Sequence, residues 1–131
     1  MEEIIKFLQD QQVFFLATTE GDQPRLRPMG AVMEYKGKLY LCTNNQKEMY
    51  KQMKANPKVE LGACSPEGQT LRISGVVAFD TSREAKEKIL EALPRIKQMY
   101  SVDDGIFEVF YFEQGTAVFS DMQGGRQEIR L

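Results

Sequence analysis

Short apolar runs separated by tight-turn signatures constrain this chain more than any other feature. Val13-Phe14-Phe15-Leu16-Ala17-Thr18-Thr19, Leu39-Tyr40-Leu41-Cys42-Thr43 and Thr70 to Asp80 are rich in β-branched and aromatic residues. Each has the length and composition of a strand. Glu20-Gly21-Asp22-Gln23-Pro24, Tyr35-Lys36-Gly37-Lys38 and Ser65-Pro66-Glu67-Gly68 carry turn chemistry. Strands linked this tightly predict a mainly β fold: an antiparallel sheet closed into a small β-barrel with peripheral helices.

The helices fall around those strands. Ile4, Ile5 and Leu8 recur at helical spacing from Glu2 to about Gln11, with acids in the first turn. Met49, Tyr50 and Met53 predict a helix from about Gln46 to Ala55, ended by Asn56-Pro57. Thr81-Ser82-Arg83-Glu84 opens a third, running to about Leu93, and Pro94 separates it from a short piece over Arg95 to Tyr100. The remaining strands are expected at Arg25 continuing through Tyr35, at Lys58 to Cys64, at Ile106 to Phe112 and at Gly115 to Ser120. In the Thr70 strand Leu71, Ile73, Val77 and Phe79 share one face, and Gly75 marks a bulge or a close backbone approach. Ser101 to Gly105 reads as an acidic loop and the chain after Asp121 as a polar tail.

Composition narrows the function. The 131 residues suit one domain, with 42% apolar and 27% charged residues and a net charge of −2. Basic residues are scattered among acids, so neither nucleic acid nor an anionic membrane is an expected partner. The acidic start, Met1-Glu2-Glu3-Ile4-Ile5, has no basic leader, and no apolar run is long enough to span a membrane, so a cytoplasmic location is expected. Cys42 and Cys64 are expected to be a reduced, buried pair. With no histidine there is no Ser–His or Cys–His nucleophile, no imidazole base and no HExxH zinc site, and no metal site is expected. Asp103-Asp104-Gly105 lacks the further ligands calcium needs. Chemistry on such a chain would come from an organic cofactor that the protein binds and orients.

Two segments offer such a site. Arg25 and Arg27 lie two apart on a predicted strand and so share one face, with Leu26 on the other. Like charges that close repel unless something anionic lies beside them. Pro28 cannot donate to a ladder, so the strand should be open to solvent or ligand there. Lys47, after Thr43-Asn44-Asn45, falls at the start of a helix, where the helix dipole disfavours a cation by roughly 0.3 kcal/mol or more. A bound phosphate would resolve both oddities, since helix-start N–H groups, an ammonium and a guanidinium fork are its recurring ligands. Solvated edge-strand charges that deter aggregation are the competing reading of Arg25 and Arg27. Arg72 could equally pair with a nearby acid.

These residues taken in order resemble the FMN-binding split-barrel superfamily, which includes the pyridoxamine 5′-phosphate oxidases. The resemblance covers essentially the whole chain. It rests on Phe14 to Thr18, Gly21 to Pro24, Arg25-Leu26-Arg27-Pro28-Met29, Lys36 to Thr43 with Lys47, Asn56-Pro57 before Val59, and Arg72-Ile73-Ser74-Gly75. It is nearest to the small members named for nitroimidazole resistance or general stress, although the histidine of the former branch and a C-terminal tryptophan are missing. The resemblance implies a homodimer with FMN at the subunit interface and a small-molecule substrate or electron donor. It assigns Arg25, Arg27, Thr43, Asn44 and Lys47 to anchoring the cofactor and Pro28 and Met29 to lining it, while Arg72 would face the other subunit's cofactor. No residue qualifies as an acid or base. A flavin-dependent oxidoreductase is the leading expectation; a non-catalytic module binding flavin, deazaflavin or haem is the alternative.

Overall fold

The computed structural model describes residues 1–131. In chain order the elements are α1 (Glu2–Gln11), β1 (Phe14–Glu20), β2 (Gln23–Met29), β3 (Met33–Tyr35), β4 (Lys38–Asn44), α2 (Glu48–Ala55), β5 (Lys58–Cys64) and β6 (Thr70–Asp80). The chain continues through α3 (Arg83–Ala92), α4 (Pro94–Lys97), β7 (Phe107–Ser120) and β8 (Arg126–Arg130). All eight strands belong to one sheet in the order β2-β1-β5-β6-β7-β4-β3, with β8 added to β7. Every pairing is antiparallel.

The sheet curls until its end strands, β2 and β3, lie near each other, and the barrel is split between them. Only Gly30, Ala31 and Val32 connect these two strands, so the single long strand expected from Arg25 through Tyr35 is two. The break comes after Met29, where β2 runs out of partner because β1 begins at Phe14; Pro28 itself stays in register with Phe15 and, as expected, lies on an edge strand. The expected strands at Ile106 to Phe112 and Gly115 to Ser120 are instead one, β7. It crosses Glu113-Gln114 without a turn because β6 pairs along its whole length, absorbing one register shift between Val76 and Val77. The polar tail likewise becomes a strand, with β8 pairing Thr116 to Ser120. Backbone hydrogen bonding to an existing edge needs no apolar side chains, which is why composition hid it.

Alternation along the strands builds two cores. Phe14, Leu16, Leu39, Leu41, Leu61, Leu71, Ile73, Phe110 and Phe112 fill the barrel, joined by Ile4, Leu8 and Met53 from the helices. On the other face of β4 and β7, Tyr40, Cys42, Phe107 and Val109 meet Ala85, Ile89 and Leu90 of α3. Each large side chain so buried stabilises the fold by roughly 1.5–3 kcal/mol relative to exposure. Ser82 caps α3 by accepting the Ala85 N–H, as its sequence implied. Gly75 sits opposite Gly115. A Cβ at Gly75 would lie 2.2 Å from the Gln114 carbonyl oxygen, so only glycine permits this backbone approach. Both cysteines are free thiols, but Cys64 is exposed at the end of β5, correcting the buried pair.

Candidate functional site

At the split the sequence turns its back on apolar packing. Arg25 and Arg27 share strand parity with buried Leu16 and Thr18 of β1, whose partners in register they are. The two guanidinium groups nevertheless part company. Arg25 turns to the surface and binds Glu20 at 2.8 Å. Arg27 lies half-buried, and its Nη1 donates to the Leu16 carbonyl at 3.1 Å and to Thr18 Oγ1 at 2.8 Å. Its Nη2 donates to Gln52 Oε1 at 2.9 Å. Thr18 in turn donates to the same Gln52 oxygen at 2.6 Å, tying β1 to α2. Every one of these acceptors is neutral. Burial accordingly pushes the Arg27 pKa down, and no carboxylate offsets its charge.

The end of β4 supplies the second wall. Thr43 is 3% exposed, and its hydroxyl is the only buried side-chain oxygen or nitrogen without a hydrogen-bond partner. An orphaned buried hydroxyl costs about 1–3 kcal/mol, a penalty that a ligand accepting its proton would remove. Asn44 shapes the loop that follows: its Oδ1 accepts the Gln46 N–H at 3.0 Å and its Nδ2 donates to the Tyr100 hydroxyl at 2.7 Å. This turn brings Lys47 to the N-cap of α2 in extended conformation, with no side-chain cap of its own. The dipole of α2 and the ammonium of Lys47 therefore sum to positive potential at one place.

Thr43, Lys47, Pro28 and Met29 line a common cavity of about 250 Å³. Four of the residues singled out in the sequence thus converge, with Arg27 one position before Pro28 and Asn44 one after Thr43. Cys42 also lines it. Burial pushes this thiol up to about 11, with Lys47 pulling the other way, so it stays protonated at neutral pH. Arg72 is elsewhere: it pairs with Glu60 at 2.6 Å beside a polar depression with Ser74 and Arg126. The structure brings Arg25 and Arg72 to acids rather than to this cavity. No group of three or more Cys, Asp or Glu side chains is placed to hold a metal ion.

Sequence reading passed over the far wall. Arg95, Ile96, Met99 and Tyr100, which had appeared only as a short helical piece, close the cavity from α4 and the turn beyond it. Thr18 and Gln52, the acceptors that hold Arg27, were missed as well. Their only signal was polarity at positions that periodicity assigns to the core.

The family model for pyridoxamine 5′-phosphate oxidase matches residues 1–123. The chain belongs to this family. A NimC/NimA family protein from Clostridium acetobutylicum is 51% identical, with a TM-score of 0.97 over 100% of this chain and 92% of the other. A protein related to general stress protein 26, also from Clostridium acetobutylicum, has a TM-score of 0.75 at 18% identity, over 99% of this chain and 93% of that one. A heme binding protein from Mycobacterium smegmatis has a TM-score of 0.73 at 19% identity, over 92% of this chain and 53% of its own. At such identities the last two share the fold alone. No match was found among the curated proteins. The mainly β split barrel and the family resemblance inferred from the residues both stand. No helix of this family member is long and apolar enough to cross a membrane.

Proposed function

We propose that this member of the pyridoxamine 5′-phosphate oxidase family is a cytoplasmic FMN-dependent oxidoreductase that works as a homodimer. The observation that carries this reading is the orphaned hydroxyl of Thr43, a residue that lines the same cavity as Lys47. A phosphate monoester answers both, accepting the hydroxyl proton and offsetting the ammonium at the start of α2. Thr43 and Lys47 would grip it, with Asn44 holding the loop in place and Arg27 adding uncompensated positive charge from β2. Pro28 and Met29 would line the ring system. Bound FMN would supply two-electron transfer, for which the chain itself has no equipment.

The protein's own residues contribute binding and exclusion. The cavity holds no carboxylate, and its one thiol is protonated at neutral pH, so protons would reach the reacting atoms from water or from the substrate. Support for a dimer comes from Phe15, 46% exposed, on β1 and Leu26, 67% exposed, on the neighbouring edge strand β2, which share the outward face. Exposed apolar residues of that size on one face of neighbouring strands suit a second copy. The two free thiols agree with a reducing compartment.

An absorption spectrum of the purified protein, followed by titration with FMN and riboflavin, tests the reading. Lys47→Ala combined with Arg27→Ala should weaken FMN by about 30-fold or more while changing riboflavin affinity by about threefold or less. Equal losses for the two would show that these side chains do not grip a phosphate. A haem spectrum in place of a flavin spectrum would support the alternative that the Mycobacterium smegmatis neighbour's name suggests. Bleaching by a nicotinamide donor, with recovery on adding an electron acceptor, separates an enzyme from a flavin-carrying module.

A further inference from the structure

Of the four buried polar residues, two hold one arginine. Thr18 is 2% and Gln52 6% exposed, and both contact Arg27, while buried Thr43 lines the cavity that begins at the next residue, Pro28. Their hydrogen bonds close a ring. Arg27 Nη2 can only donate, so the Gln52 side-chain atom 2.9 Å from it is the amide oxygen rather than the nitrogen. Thr18 receives Arg27 Nη1 at 2.8 Å and therefore passes its own proton to that same oxygen, at 2.6 Å. Both arms of the guanidinium fork are thus fixed, by residues from β1 and α2.

An amide at position 52 stands where a carboxylate would fit. Arg25, Arg72, Arg83 and Arg126 are exposed and each pairs with an acid, whereas the half-buried Arg27 is given a neutral partner. Desolvated charge ordinarily finds a counter-charge. Glutamate at 52 would fill the same space and accept the same two bonds, so what the amide contributes is the lack of negative charge. Gln52 lies five residues after Lys47, the N-cap of α2, and so about 7.5 Å along the helix axis. That is within the Debye length of about 8 Å at physiological salt, so the fields of Arg27, Lys47 and the helix start add. We propose that Gln52 is a positioning residue. With Thr18 it locks Arg27, and because it is neutral it leaves the arginine's charge to an incoming anion. Position 52 thereby sets the preference for a phosphorylated ligand over its dephosphorylated counterpart. FMN as that ligand rests on the flavin reading of the cavity, whereas the role of Gln52 toward an anion does not.

Gln52→Glu and Gln52→Leu, each titrated with FMN and riboflavin and unfolded in urea without ligand, test this. Gln52→Glu keeps the ring and gives Arg27 a counter-charge. Its urea midpoint should match or exceed the native one, while FMN affinity falls about tenfold or more and riboflavin affinity changes by about threefold or less. A purely structural side chain would not combine undiminished folding with poorer FMN binding. Gln52→Leu removes the acceptor and should lower the preference for FMN over riboflavin about fivefold. In an Arg27→Ala background the same substitution should change that preference by less than about twofold, because Gln52 acts through Arg27. Native FMN affinity in Gln52→Glu would overturn the proposal. So would equal losses of both flavins, or an undiminished effect of Gln52→Leu in the absence of Arg27. If the native protein binds neither flavin, the FMN reading falls and inorganic phosphate becomes the probe. Phosphate bound more weakly by Gln52→Glu than by the native protein keeps the role of Gln52 standing; equal binding, or none by either, overturns it.

Discussion

The two sides of this barrel treat polar groups differently. Along β6 and β7 the closed side leaves nothing open: Gly75 and Gly115 bring two backbones together, and Arg72 on the outer surface is matched by Glu60. On the split side, between β2 and β3, a buried hydroxyl has no partner and the half-buried Arg27 has no counter-charge. β6 and β7 carry one cation between them, Arg72, whereas the short edge strand β2 carries two, Arg25 and Arg27. What separates a structural cation from one directed at a ligand is whether the fold itself supplies the partner.

Substitutions can break that contrast, and the largest effect belongs to the closed side. Gly75→Val should destabilise the protein by about 3 kcal/mol or more, read by urea denaturation, because the new Cβ meets backbone that cannot yield. Arg27→Ala should cost about 1–2 kcal/mol, since hydrogen bonds from a charged donor to Leu16, Thr18 and Gln52 are lost while an uncompensated charge is relieved. Thr43→Val should change sign: without ligand it should stabilise by up to about 1 kcal/mol, because the orphaned hydroxyl is removed, yet it should weaken FMN more than riboflavin. A destabilised ligand-free Thr43→Val protein would show that the hydroxyl already has a partner in solution. Arg72→Ala should cost less than about 0.5 kcal/mol, because its ion pair is solvent-exposed.

A pH series sharpens the closed side further. Burial of Asp80 pushes its pKa up, but donors from Tyr40 and Ser82 and the nearby charge of Lys36 outweigh it and hold the carboxyl below its usual value. A folded pKa below the unfolded one adds stability that is present above the unfolded pKa and lost as pH falls through the folded one. The stability difference between the native protein and Asp80→Asn should therefore be full at pH 7 and shrink below about pH 4. Denaturation midpoints across that range measure it.

Much of the architecture was legible because it rests on local chemistry. The limits of α1, β5 and β6 follow periodicity and turn residues, and Ser82 announces α3. The Tyr35-to-Lys38 turn has Lys36 and Gly37 at positive φ, as a tight hairpin requires. That Thr43 and Lys47 lie beside one cavity was legible too, because they are only a few residues apart. The break between β2 and β3, the continuity of β7 and the strand β8 were not, since each depends on which edge happens to lie alongside.

By itself the sequence determined the antiparallel strands, the helices between them and the residue types able to receive an anion, because spacing and side-chain chemistry act over a few residues. Tertiary structure alone decided which cations are spent. Glu60 reaches Arg72 across two strands, while Arg95 arrives from a segment about fifty residues beyond Thr43 and finds no acid there. Charge pairing depends on a few ångströms of separation, and that separation exists only once the sheet has curled and left its gap.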